Sequence, residues 1–189
     1  MDRFPLQTSA RYDYRSEFGA GPSDHHGCDI FGPRGTKIVA VERGTVQRDI
    51  DPRGGLVVYL DAGRREGDLQ SRRYYYAHLE SVEEQIPTRQ QPHVIRLVEP
   101  GDRLGTLGTT GNAAGTSPHL HFQMRIDDQL VDPYPYLREV DPQQHGRPPG
   151  ASTSRRNEPG MRVSTGSAVA LLLVLGIAWW AFGRGQRYG

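Results

Sequence analysis

The chain has a single cysteine, Cys28, and a single lysine, Lys37, among its 189 residues. One cysteine excludes an internal disulfide framework. Its plainest reading is a small buried apolar side chain. A formal net charge of +1 is too small to argue for nucleic acid on bulk electrostatics, so no nucleic-acid partner is expected. The first 20 residues are polar and aromatic with no apolar core, so no secretory leader is expected there. No segment before residue 160 repeats apolar residues convincingly at helical spacing, which leaves little room for a helical bundle.

What is present is β in character. After an irregular lead-in over residues 1–20, short extended runs recur at 37–41, 44–46, 56–60, 73–77, 94–98, 104–107 and 119–126. They are separated by turn signals such as Gly54-Gly55 and Pro100-Gly101-Asp102. This spacing predicts an all-β domain over residues 21–138, an antiparallel sandwich or open barrel.

Residues 139–163 change character. Proline, glycine, serine and arginine dominate and large apolar side chains nearly vanish, so the segment cannot offset its ordering entropy and reads as a disordered linker. The run 165–182 carries no charge; its 18 positions would span roughly 27 Å as a helix, just short of the hydrocarbon thickness. With its neighbours it predicts one C-terminal transmembrane helix over 164–182, with Trp179 and Trp180 near one end, followed by a short basic tail, 183–189. The expected location is therefore a membrane, through a single C-terminal helix. Arg155, Arg156 and Arg162 precede it and Arg184 and Arg187 follow; the excess is slight and favours the preceding domain on the inner side.

Three motifs bear chemistry: His25-His26-Gly27-Cys28-Asp29, Tyr76-Ala77-His78-Leu79 and Pro118-His119-Leu120-His121-Phe122. Zinc takes histidine nitrogen and aspartate oxygen, and a catalytic site uses three protein ligands with a fourth position for water. His25, Asp29 and His121 make such a set. On an extended chain residues two or four apart share a face, so His25 and Asp29 can converge on one ion. His119 and His121 share a strand face, so one can bind while the other stands beside the open position. Gly27 leaves the backbone room to adjust. Each piece alone is weak; their order, spacing and flanking residues together are not.

These motifs, with Gly35-Thr36, Gly44-Thr45-Val46, Gly101-Asp102-Arg103-Leu104-Gly105 and Gly111-Asn112 between them, resemble the lysostaphin-like (LytM-type) zinc endopeptidases that cut peptide bonds in bacterial peptidoglycan. The likeness runs from about Tyr14 to Tyr136. It implies one zinc ion per chain held by His25, Asp29 and His121, with His78 and His119 as the catalytic histidines. It implies a peptidoglycan peptide as substrate, in cross-links or stem peptides. A wall substrate opposes the inner placement that the arginines favour, so the orientation stays open. His26 occupies a non-ligand position and is expected to point away from the site. Gln123 stands where the family commonly has an acid and, as a non-ligand, is expected to matter little. Some relatives have lost ligands and act as silent activators of other wall hydrolases. This chain keeps the full set, so activity is the expectation and a silent wall-binding domain the alternative.

The mechanism that follows has zinc lowering the pKa of bound water and polarising the scissile carbonyl. His78 and His119 handle protons and the oxyanion, with His119 preferred as base and His78 as donor but the two roles not separable from sequence. The groove walls are expected at 61–71 and 81–91. Asn112 and Thr116, in the glycine-rich loop, are candidate substrate-backbone partners.

Overall fold

The structure, a computed structural model, describes residues 1–19, 25–64, 67, 69–91 and 93–145. The chain divides into two units, Met1–Ala151 and Ser152–Gly189. The linker beyond residue 145, the apolar span 164–182 and the tail all lie outside the described residues. Among the described residues no helix is long and apolar enough to cross a membrane.

The elements run β1 (Leu6–Gln7), β2 (Asp13–Tyr14), β3 (Cys28–Phe31), β4 (Lys37–Val39), β5 (Gly44–Asp51), β6 (Gly55–Arg64), β7 (Ser71–Val82), β8 (Arg96–Val98), β9 (Arg103–Leu107), β10 (His119–Ile126), β11 (Gln129–Val131), α1 (Tyr134–Val140) and α2 (Pro142–His145). The strands form one connected antiparallel sheet, ordered β1-β4-β9-β7-β10-β3-β2, with β6 on the other side of β7 and continuing through β5 to β8. This is a curled half-barrel; of the two expected architectures, the open barrel describes it and the two-sheet sandwich does not.

Alternation explains which face is buried. On β10, Leu120, Phe122 and Met124 are fully buried while His121 and Gln123 face the other way. On β7, Tyr74 and Tyr76 go inward and flank Phe122, with ring centroids 5.8 and 5.2 Å away. Their hydroxyls are satisfied in the interior: Tyr74 donates to Glu42 and Tyr76 accepts the Val41 N–H. Buried phenols need such partners. Cys28 is fully buried, and burial, followed by the nearby Asp29 charge, pushes its thiol up to about 12.

The lead-in differs from expectation. Residues 6–7 and 13–14 are strands, and Phe4, Leu6 and Tyr12 belong to the core. Pairs of two residues are too short to show a period, so only their burial reveals them. Two short helices also close the domain, α1 and α2. Of α1 only Leu137 is buried, so no apolar stripe marked it. The junction is fastened by Asp141, which is 2% exposed and accepts hydrogen bonds from both Tyr12 and Tyr14. It thereby ties the end of the domain to its beginning.

Candidate active site

The centre of the sheet holds an irregularity that places the site. One edge of β7 pairs with β6; the other pairs with β10 over 72–77 and with β9 over 79–82. His78 stands at this handover, with φ 66°. Left-handed backbone costs a non-glycine residue about 1–2 kcal/mol. Its N–H leaves the ladder and donates to the Gly54 carbonyl at 2.8 Å, and its ring Nδ1 lies 2.8 Å from the Thr110 carbonyl. The 110–112 loop is itself pinned: the Thr110 hydroxyl donates to the Leu79 carbonyl, and the Asn112 N–H to the Arg53 carbonyl. Gly111 is left-handed, and a Cβ there would collide with the Arg53 carbonyl.

Beside this handover the register brings three metal-type donors together. His121 lies opposite Asp29 on β3 and opposite Ala77 on β7. His25 reaches the same point from the bend before β3, not from a shared strand face as the spacing argument had it. The His121 Nδ1 to Asp29 Oδ1 distance is 2.8 Å, His25 Nε2 to Asp29 Oδ1 is 3.2 Å, and His25 Nε2 to His121 Nδ1 is 3.1 Å. A tetrahedral ion with bonds of about 2.0–2.1 Å has ligand–ligand edges of roughly 3.3 Å. One atom each from His25, Asp29 and His121 thus forms a triangle of the size and chemistry that zinc takes. Burial pushes the Asp29 carboxyl up, but the hydrogen bond with His121 and the charges of His121, His25 and His119 outweigh it and hold it below 3.8.

Two further histidines flank the triangle. His119 Nδ1 lies 2.8 Å from the Ser117 carbonyl, and its Nε2 is 4.0 Å from Asp29 Oδ2. The rings of His78 and His119 meet edge to face at 4.9 Å. A carbonyl can only accept, so both rings carry their proton on Nδ1 and leave Nε2 as the working nitrogen. Burial, the largest influence on His78, lowers its pKa below 6.5, against the raising effect of the Thr110 carbonyl. Its neutral form therefore dominates at pH 7.

Three residues of the site were misjudged or overlooked in the sequence. Gln123 sits 3.0 Å, nitrogen to nitrogen, from His121 Nε2. The Asp29 carboxylate can only accept from His121 Nδ1, so Nε2 is an acceptor and the Gln123 carboxamide N–H donates to it; with a metal on Nδ1, Nε2 would carry the proton and the carboxamide oxygen would accept it. Gln123 thus supports the ring and is no bystander. His26 is exposed and lines the same groove as His25, instead of pointing away. Tyr75 forms the groove floor beside the triangle, its ring 6.4 Å from that of His121. Alternation along β7 was the available signal, since Arg73, Tyr75 and Ala77 share one face.

The groove has a volume of about 760 Å³ and is lined by His25, Asp29, His78, His119 and His121 together with Asn112 and Thr116. The Thr116 hydroxyl is occupied within its own loop, donating to the Ala113 carbonyl at 2.8 Å. The side chain of Asn112 is exposed to the groove. Of the expected walls, Asp61 and Arg89 line the groove, although 61–64 is strand.

The family model for peptidase family M23 matches residues 23–133. An uncharacterised metalloprotease of Haemophilus influenzae is 28% identical over 137 residues, covering 69% of this chain and 26% of its own length. The chain therefore spans about a quarter of that relative. The catalytic domain of the antimicrobial peptidase lysostaphin from Staphylococcus simulans is 27% identical, with a TM-score of 0.53 over 67% of this chain and 92% of that one. A zinc-containing peptidase from Vibrio cholerae shares the fold, at 21% identity and a TM-score of 0.53 over 69% of this chain and 38% of that one. Motifs, fold and family model agree: the chain belongs to peptidase family M23.

Proposed function

We propose that this chain is a zinc-dependent endopeptidase that hydrolyses peptide bonds in bacterial peptidoglycan. The observation that carries the reading is the convergence of His25, Asp29 and His121 on one point of an open groove, with two more histidines against it. His25, Asp29 and His121 would hold one zinc ion, which when bound supplies a Lewis acid and an activated water.

The remaining chemistry belongs to the chain. His78 and His119 offer two imidazole nitrogens fixed by backbone carbonyls, so neither ring needs to reorient during a proton transfer. His119, nearer Asp29, is placed to take the proton of an attacking water. His78, neutral at rest, has an Nε2 lone pair; it becomes a donor to a developing oxyanion only once protonated. Tyr75 and Asn112 line the groove where a substrate backbone would pass. Residues 165–182, uncharged over 18 positions, would hold the enzyme at a membrane. That part of the proposal rests on sequence alone.

The test is clearing of purified peptidoglycan by the full chain in mild detergent, with zinc, with chelator, and as His121→Ala. Clearing that needs both zinc and His121 supports the proposal, and mass spectrometry of the products names the bond. Stoichiometric zinc binding without clearing of any wall chemistry would replace it with a silent wall-binding domain.

A further inference from the structure

Beyond the histidines the groove continues along the strands in two cross-strand rows. Adjacent to Asp29–His121–Ala77 comes Gln123–Tyr75–Tyr59–Gln47, and beyond that Arg125–Arg73–Asp61–Thr45. Same-face rows lie two residues apart, so the arginine row is roughly 13 Å from the metal-type triangle, about four residues of extended peptide. Arg89 overhangs the intermediate row, its guanidinium 4.4 Å from the Tyr59 ring centroid.

Among the described residues, the ion pairs at this end fall on Arg73 and leave Arg125 without one. Arg73 contacts Asp128 at 2.7 Å and Asp61 at 3.6 Å, both exposed pairs of the kind that exchange readily with solvent or ligand. Arg125 donates to the Asp128 backbone carbonyl at 2.6 Å, a neutral acceptor. Among the described residues no carboxylate lies within ion-pair distance of Arg125 or Arg89. Guanidinium groups present a planar fork of donors that fits a carboxylate. The tyrosine row between supplies a flat floor for the intervening peptide.

We propose that Arg73 and Arg125, with Arg89 over the adjoining tyrosine row, form a subsite that binds a free carboxylate on the substrate peptide, about four residues from the bond held at the histidines. The inference rests on the endopeptidase reading and narrows it to peptides carrying an acidic group on that side, over wholly neutral ones.

The experiment uses the full chain in mild detergent. The probe is the fluorescently labelled cross-linked peptide fraction of a bacterial wall digest, with its carboxyl groups either free or converted to amides. Anisotropy is read for the wild type and for the double variant Arg73→Gln with Arg125→Gln, and zinc content is checked in both. Charge-assisted hydrogen bonds predict about tenfold tighter binding of the acidic probe by the wild type, with the preference lost in the double variant and zinc content unchanged. Equal affinity of the wild type for both probes, no binding of either, or a preference that survives in the double variant overturns the subsite. Wall clearing separates the two ideas. Clearing with no acid preference removes the subsite alone; acid preference without clearing removes the endopeptidase reading and leaves an anionic-peptide site.

Discussion

Gly27 offers a sharp perturbation, because its φ lies outside the left-handed region and an added Cβ acts through space alone. In Gly27→Ala that atom would lie 2.7 Å from the Phe122 carbonyl oxygen and 2.8 and 2.9 Å from Cε1 and Nε2 of His121. Ordinary contacts are about 3.5–4.0 Å, so roughly 1 Å must be found. Phe122 cannot supply it: its backbone is paired to both Cys28 and Tyr76, and its side chain is fully buried. The His121 ring or the start of β3 has to move. Overpacking of this kind costs about 1–3 kcal/mol, which for a domain of this size lowers Tm by roughly 3–10 °C. Displacing His121 also spoils the triangle, and zinc affinity should fall about ten- to hundredfold, as when a ligand loses its supporting partner. Scanning calorimetry with and without saturating zinc, plus competition with a calibrated chelator, reads both effects. Gly35→Ala is the control: φ there is 82° with nothing within 4 Å of the added atom. It should cost about 1–2 kcal/mol through the backbone and leave zinc affinity alone. A Gly27→Ala protein with wild-type Tm and wild-type zinc affinity would refute the steric argument.

Other expectations are as direct. Gln123→Ala should weaken zinc binding about tenfold or more, and Gln123→Glu, which keeps an acceptor oxygen, should restore most of it; equal chelator competition by all three proteins would rule out the supporting role. The metal-free chain should lose stability as pH falls, because Asp29 and His78 both titrate lower when folded than unfolded. Stability present above 6.5 is lost as pH falls through the lowered His78 value, and a second loss begins below 3.8 as Asp29 protonates. His78→Asn, tolerant of left-handed backbone, should flatten the first loss in a circular-dichroism Tm series between about pH 5 and 6.5; an unchanged slope would assign it elsewhere. Asp141→Ala should cost about 1–3 kcal/mol in urea denaturation by leaving the buried Tyr12 O–H without its carboxylate acceptor. Cys28 should resist iodoacetamide at pH 8 until the chain unfolds, given its burial and raised pKa.

The parts of the site legible in the sequence are those that local spacing controls. His119 and His121 share a face because a strand alternates, and the structure keeps that relation. Convergence of His25 with Asp29 was foreseen for a different reason from the one that holds. Asp29 faces the groove because its strand neighbours Cys28 and Ile30 are buried; His25 arrives from a bend. Long-range pairing was not legible. That His121 falls opposite Asp29 depends on register between strands, the two residues lying 92 apart, whereas Tyr75 in the floor and Gln123 beside His121 follow from alternation within β7 and β10. The helix α1 was missed because two turns with one buried residue show no periodicity. The strands β1 and β2 were missed because two residues show no alternation.

The handover on β7 explains why the histidine of the second motif sits where no regular strand residue could. If β7 paired with β10 throughout, position 78 would alternate to the face opposite Ala77 and point into the core beside Tyr74 and Tyr76. At the change from β10 to β9 the left-handed residue breaks that alternation, and the ring emerges beside His119 instead. The ladder bond given up is replaced through Gly54, and the ring is held through Thr110. Local strain of about 1–2 kcal/mol is thus met by two hydrogen bonds to loops that themselves form the groove wall. A variant that restores regular backbone at this point, His78→Val, should therefore do more than delete an imidazole. It should favour extended φ, return the side chain to the core face and loosen the 110–112 loop. Amide exchange of Leu79 and Asn112 would then rise above the level seen in His78→Asn. Identical exchange in the two variants would mean that the surrounding loops, and not residue 78, impose the break.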